Sequence, residues 1–179
     1  GTYTATLWAF TDQNCVSDTV QHTVVVHPWP TAANSLSSPL CEANELTITD
    51  NSAANVGSLV RWHWNFGDGT IVNQTAAAPV KHTYANWGDK TIRLVVENSK
   101  GCISDTLVKT VRVHPLPQPG FVLPEVCLSD AQAIFTDTTR IADGSSGFSY
   151  QWRFNAGIPA VTPGPTPATS TAQNPAVKY

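Results

Sequence analysis

Residues 61–70, Arg-Trp-His-Trp-Asn-Phe-Gly-Asp-Gly-Thr, set one carboxylate between two glycines at the end of an aromatic run. Such a turn could offer oxygen to a cation. Calcium, however, takes about 6 to 8 oxygens, so Asp68 is a candidate ligand only if another loop helps. The alternative is structural: Gly67 and Gly69 adopt backbone conformations costly to other residues, while Asp68 bonds the amides of its own turn.

The remaining reactive side chains read the same way. A catalytic histidine needs a nucleophile or an orienting acid, and the serines lie in loops without a nucleophile-elbow pattern, so no enzymatic activity is expected. His27 and His114 recur before prolines, His22 and His63 stand alone, and His82 is expected to bond backbone near its strand. Cys15, Cys41, Cys102 and Cys127 form no CxxC and have no histidine at metal spacing, which disfavours zinc and favours paired disulfides in an oxidising compartment. Trp8, Trp29 and Trp87 fall outside the core alternation, and Trp29 and Trp87 are candidate stacking surfaces for a glycan; packing between domains is the competing reading for Trp29.

Composition narrows the classes. The chain has 179 residues, net charge -3, and only 10 Lys and Arg without clustering, so nucleic acid is not an expected partner. No apolar run is long enough to span a bilayer and no segment has signal-peptide order; the chain is expected to be soluble and mature, without membrane insertion. Abundant Thr, Val, Ser and Asn, no Met, and 13 prolines with 11 glycines between short apolar alternations favour an all-β sandwich.

An internal repeat organises those strands. Residues 1–30 match residues 88–117 without a gap: Gly1 recurs as Gly88, Leu7 as Leu94, Cys15 as Cys102 and Pro30 as Pro117, an offset of 87 (88 − 1) throughout. The segment from Cys41 likewise resembles that from Cys127, and Trp62-His63-Trp64-Asn65-Phe66 resembles Tyr150-Gln151-Trp152-Arg153-Phe154. The chain therefore reads as residues 1–29, the C-terminal part (strands F–G) of one module; residues 30–117, a complete module; and residues 118–179, the N-terminal part (strands A–E) of a third. The two partial modules are complementary. Two arrangements satisfy that: a window on a longer continuous array, or residues 1–29 of one chain completing the open module of another.

In the whole module, strands are expected near 31–37 (A), 45–51 (B), 59–66 (C), 70–74, 79–84 (E), 89–97 (F) and 103–113 (G). Leu46 and Ile48, then Val60, Trp62, Trp64 and Phe66, then Ile92, Leu94 and Val96, then Val111 and Val113 alternate inward. Four large inward residues on C exceed what one face needs, which places one tryptophan near a rim. His-Pro-Trp-Pro and His-Pro-Leu-Pro close strand G as semi-rigid linkers. Cysteine pairing stays open between Cys41 with Cys102 inside a module, leaving Cys15 for Cys127, and Cys15 with Cys41 plus Cys102 with Cys127 between modules. The first is favoured because the two cysteines travel together in each module, although strand counting puts them at opposite ends.

Trp64-Asn65-Phe66-Gly67-Asp68-Gly69, then His82-Thr83-Tyr84, then Gly88 and the alternating strand after it, resembles the polycystic kidney disease (PKD) domain pattern W-D-F-G-D-G, H-x-Y, G-x-Y-x-V-x-L-x-V. Asn65 and Lys90 depart from it, and the third module has Asn155-Ala156-Gly157 for Gly-Asp-Gly. The resemblance implies tandem Ig-like (PKD-type) sandwiches serving as spacer, adhesion or interaction modules, and the added cysteines resemble the variant of secreted bacterial surface proteins. It implies no cofactor apart from the calcium candidate at Asp68. Asp-Thr-Val, Asp-Thr-Leu and Asp-Thr-Thr resemble a short O-glycan acceptor pattern at Thr19, Thr106 and Thr138, against the plainer reading as strand residues; Asn73 fits the N-glycan sequon. Together these readings point to a non-catalytic array at the cell surface or in a filament, whose partners are copies of itself and a surface glycan. Carbohydrate-binding or spacer modules of a secreted hydrolase are the alternative.

Overall fold

The computed structural model describes residues 1–122, 132–155 and 165–178. Every regular element among them is a strand, and no helix is long and apolar enough to cross a membrane. The chain divides into two compact units, Gly1–Val113 and His114–Tyr179.

The first unit opens with a hairpin, β1 (Thr2–Leu7) paired with β2 (Val20–Val25). A sandwich follows. One sheet orders β3 (Asn34–Leu36), β4 (Glu45–Asp50) and β7 (Val80–Thr83); the other orders β6 (Ile71–Gln74), β5 (Leu59–Asn65), β8 (Gly88–Asn98) and β9 (Leu107–Val113). Alternation puts Leu46, Ile48, Trp62, Trp64, Phe66, Val80, Tyr84, Ile92, Leu94, Val96, Val111 and Val113 in a single buried core between the sheets.

The expected strands are present, with three departures. An irregularity between Leu59 and Arg61 packs Leu59 rather than the expected Val60 against the core. Strand G begins at Leu107, because residues 99–106 form a loop: the amide of Asn98 donates to the carbonyl of Cys102, and the Asn98 side chain accepts from the amides of Lys100 and Cys102. Neither tryptophan of β5 sits at a rim, since Trp62 is 4% exposed and Trp64 fully buried. Each indole N–H has an acceptor in reach, Asp50 Oδ2 at 2.8 Å for Trp62 and Gln74 Oε1 at 3.2 Å for Trp64, so burial strands no donor.

The second unit holds β10 (Phe121–Val122), β11 (Gln132–Ile134), β12 (Thr136–Asp137), β13 (Trp152–Arg153), β14 (Thr169–Ser170) and β15 (Ala176–Lys178). They form three two-stranded pairings, β10 with β12, β11 with β15 and β13 with β14. Ala133, Phe135, Phe154 and Val177 are buried together, with Trp152 packed on them half-buried.

Candidate functional site

The Gly-Asp-Gly turn closes β5 onto β6. Gly67 and Gly69 have φ of 76° and 97°, in the region other residues avoid. Asp68 Oδ1 accepts the Thr70 amide at 3.0 Å, as expected of such a turn; Oδ2 lies 2.8 Å from His82 Nε2. His82 therefore bonds this carboxylate rather than backbone, a correction with a plain cause: the turn delivers an anion to the tip of β7. With Asp68 ionised, Nε2 carries the proton. The imidazole stacks on Phe66 (4.2 Å between centroids, 17° between planes) and meets the edge of Tyr84 at 4.5 Å, while the Tyr84 hydroxyl donates to the Phe66 carbonyl at 3.1 Å. Lys90 Nζ stands 5.7 Å over the Tyr84 ring.

Burial pushes the Asp68 carboxyl up, but hydrogen bonds from the Thr70 backbone and His82 outweigh it and leave the group below its ordinary value. Burial, and then the charge of Asp68, raises Tyr84 to about 12. One carboxylate oxygen is thus engaged by the turn's own backbone and the other by His82 of β7. Among the described residues no three His, Cys, Asp or Glu side chains come together as a metal site. The cluster clamps the turn to the opposite sheet.

The other expected residues are dispersed. Cys15, Cys41 and Cys102 are free thiols, and Cys127 lies outside the described residues. Cys41 adjoins the Tyr84 end, where the Ala43 amide bonds the Tyr84 carbonyl; Cys102 adjoins Asn98 at the far end of the 11-residue β8. That strand spans about 33 Å, against the roughly 4.4–6.8 Å between Cα atoms a disulfide allows, so Cys41 does not pair with Cys102. Trp87 sits at the Cys41 end, its amide donating to Glu42 Oε2 at 3.1 Å. Trp29 is at the other end, 66% exposed, in a cleft of about 370 Å³ shared with Asp105 and Thr106. The Asn55 side-chain amide donates to the Trp29 carbonyl at 2.6 Å and to Thr31 Oγ1, and that of Asn98 to the carbonyls of Pro28 and Ala54, so the linker is tied to the sandwich. Thr19, Thr106 and Thr138 are not strand residues: all three are exposed, in the loops just before β2 and β9 and just after β12. Asn73 lies on β6 beside the His63 ring.

The least expected exposure is on the hairpin. β1 and β2 reproduce β8 and β9 pair for pair: Thr2 with Val25 as Asp89 with Arg112, through to Leu7 with Val20 as Leu94 with Leu107. Their loops agree as well, since the amides of Thr11 and Ser17 bond the carbonyls of Cys15 and Ala9 as those of Asn98 and Ser104 bond Cys102 and Val96. Asn14, at φ 60°, takes the place of Gly101 at 77°. Burial is reversed. Ile92, Leu94, Val96, Val111 and Val113 are core, whereas Ala5, Leu7, Ala9, Val24 and Val26 at the same places are exposed, Leu7 by 70%.

The second unit carries an open aromatic cleft of its own. A cleft of about 390 Å³ is lined by Phe121, Phe148, Tyr150 and Trp152 around Asp137. Asp137 Oδ2 accepts the Tyr150 hydroxyl at 2.9 Å, the counterpart of the Trp62–Asp50 bond, and Oδ1 accepts the Thr139 amide at 3.0 Å. Hydrogen bonding to Thr139, with smaller help from Tyr150 and Gln173, holds Asp137 at about 2. The repeat aligns these segments, but spacing alone does not single out the acid on one sheet that binds an aromatic donor on the other. Its signal was present in Thr-Asp-x-Ser/Thr, at residues 49–52 and 136–139.

With this geometry in hand, comparison with known proteins gives one family, the PKD domain, matching residues 27–113. Collagenase ColA of Bacillus cereus is 33% identical over 98 residues, 52% of this chain but 10% of the collagenase, so the chain spans a tenth of that relative. Similar solved structures include the PKD1 domain of Vibrio anguillarum Epp (24% identity, TM-score 0.43, covering 49% of this chain and 96% of that one) and the PKD1 domain of Vibrio cholerae metalloprotease PrtV (23%, 0.42, 48% and 98%). A third is a carbohydrate-binding module of the β-sandwich superfamily (17%, 0.46, 63% and 56%).

Proposed function

From the premise that residues 27–113 are a PKD domain, we propose that the chain is a stretch of a tandem array of such modules in an extracellular bacterial surface protein or filament. In this reading residues 30–117 are one module, and residues 1–29 and 118–179 are the C-terminal and N-terminal parts of two others. The role is structural and adhesive, without catalysis: stiff sandwiches joined by short linkers, the one at residues 28–29 being held on the following module by Asn55 and Asn98. The observation that carries it is the pair-for-pair identity of the β1–β2 and β8–β9 registers, because a spacing repeated in both sequence and strand pairing is how an array is built. Single-molecule stretching of the purified chain tests the mechanical claim. A discrete unfolding event releasing about 80 residues of contour is expected for the intact module; gradual extension without a peak, or hydrolysis of collagen or glycan substrates by the pure chain, would contradict the reading.

A carbohydrate-binding role, as an accessory module of a hydrolase, is favoured by one feature, the exposed Trp29 indole beside Asp105 and Thr106. An aromatic plane next to a carboxylate and a hydroxyl suits a sugar ring. Trp87 lies at the opposite end of the sandwich and belongs to no common platform with it. Binding on a glycan array that Trp29→Ala abolishes and Trp87→Ala leaves intact is the expected signature; a blank array rejects it.

A further inference from the structure

We infer that the glycan taken by the Trp29 cleft is an extended, neutral oligosaccharide, and that it continues from that cleft into a polar trough on the outer face of the sheet formed by β6, β5 and β8. The inference rests on the glycan reading of Trp29 above and adds to it a second subsite and a chain length.

The trough is built by alternation. Trp62, Trp64, Leu94 and Val96 point into the core, so the residues between them point outward. Cross-strand pairing then sets His63 between Asn73 and Val95, and Arg61 beside Glu97. One wall is Ile103, which bridges Glu97 and is 56% exposed; the other is Thr75, just past β6. The space between them is about 350 Å³, close to the 370 Å³ of the Trp29 cleft.

Its chemistry suits a neutral sugar. Arg61 Nη1 lies 3.2 Å from Glu97 Oε2, so the two charges cancel and an ionic ligand meets no net attraction. His63 Nδ1 meets Asn73 Oδ1. A carbonyl oxygen only accepts, so Nδ1 carries the proton, and the neutral ring leaves Nε2 as an acceptor beside the Asn73 amide hydrogens. Each pair thus sets a donor next to an acceptor, the pattern that neighbouring hydroxyls of a sugar match. Val95 and Ile103 supply apolar surface for the C–H face of the ring.

The two clefts flank one loop, residues 99–106. Ile103 lines the trough, Asp105 and Thr106 line the Trp29 cleft, and Ser104 between them is turned inward and buried. Ile103 and Asp105 are two residues apart, about 7 Å along an extended chain, which is little more than one sugar unit. That spacing is preformed. Asn98 holds the amides of Lys100 and Cys102, Ser104 Oγ accepts the Val96 amide at 3.0 Å, and Asn55 holds the Trp29 carbonyl. A ligand spanning both clefts therefore pays little to order them.

Titration calorimetry of the full chain with β-1,4-linked oligomers of glucose, of N-acetylglucosamine and of xylose, from disaccharide to hexasaccharide, tests this. In a series that binds, affinity is expected to rise about tenfold or more from the shortest member to the longest. His63→Ala and Asn73→Ala, at exposed positions, each remove most of that rise without lowering the urea midpoint of the module; Trp29→Ala loses binding at every length. A hexasaccharide held no tighter than the disaccharide, or a rise that both trough variants leave in place, overturns the inference, while Trp29-dependent binding in the same titrations keeps the glycan reading. Absence of binding in all three series overturns both.

Discussion

Replacing Gly67 and Gly69 separately by alanine distinguishes a structural turn from a ligand site, because the two glycines face different surroundings. Both have φ in the left-handed region, where a side chain costs about 1–2 kcal/mol. A Cβ on Gly69 meets nothing within 4 Å, whereas one on Gly67 would lie 2.6 Å from the Thr91 carbonyl oxygen and 3.1 Å from its amide nitrogen. Those atoms are backbone of β8 in the middle of a four-stranded sheet, with Thr91 paired to Thr110, and cannot rotate away. Overpacking of this kind adds roughly 1–3 kcal/mol. Gly67→Ala should therefore cost about 2–5 kcal/mol and Gly69→Ala about 1–2 kcal/mol. With a urea dependence near 1 kcal/mol per molar for a module of this size, the midpoints drop by about 2–5 M and about 1–2 M. Urea titration followed by the fluorescence of the buried Trp62 and Trp64 reads both. Equal shifts, or a larger one for Gly69→Ala, would refute the argument that the turn is pressed against β8.

Three further outcomes are expected. Asp50→Ala leaves the buried Trp62 N–H without its acceptor and frees Ser52, so it should cost about 2–3 kcal/mol in chemical denaturation, while Asp89→Ala, which loses only the exposed pair with Arg112, should cost less than about 0.5 kcal/mol. Asp68 and Asp137 are both held below the ordinary carboxylate range near pH 4, so the stability they contribute is complete above that pH and lost as the pH falls through their folded values, about 2 for Asp137. Melting curves from pH 6 to 2 should show this acid loss, reduced in Asp137→Asn for the second unit and in Asp68→Asn for the first; flat profiles would contradict it. Tyr84 keeps its proton to about 12, so its contribution is present below pH 10 and fades as the pH rises towards 12. Ultraviolet titration should show a late-ionising phenol that disappears in Tyr84→Phe.

Alternation made the strands legible: Leu46 and Ile48, Trp62 and Trp64, and Ile92 to Val96 face inward because successive strand residues point to opposite faces. The repeat made the hairpin legible, since Gly1, Leu7 and Cys15 carry the spacing of Gly88, Leu94 and Cys102. Polar pairings across the fold were not. Asp50 meets Trp62 and Asp68 meets His82 because two sheets fold over one another, and no local periodicity encodes which carboxylate reaches which donor. The same blindness put a tryptophan at the rim: size argued against burying both, and the acceptors that permit it lie 10 and 12 residues away along the chain. Residues 103–106 look β-prone, and Ile103 does bridge Glu97 of β8, but Asn98 bonds the backbone of its loop and the continuous ladder with β8 begins only at Leu107.

Amide hydrogen exchange of residues 2–7, followed by mass spectrometry with residues 88–94 as an internal standard, checks most directly the reading of β1 as the counterpart of β8 when it is run on this chain and on one lengthened by a copy of residues 30–87 joined in front of Gly1. The account predicts that the added segment raises the protection of the β1 peptide towards that of β8. A β1 peptide that exchanges equally fast in both chains, while β8 stays protected, would contradict it.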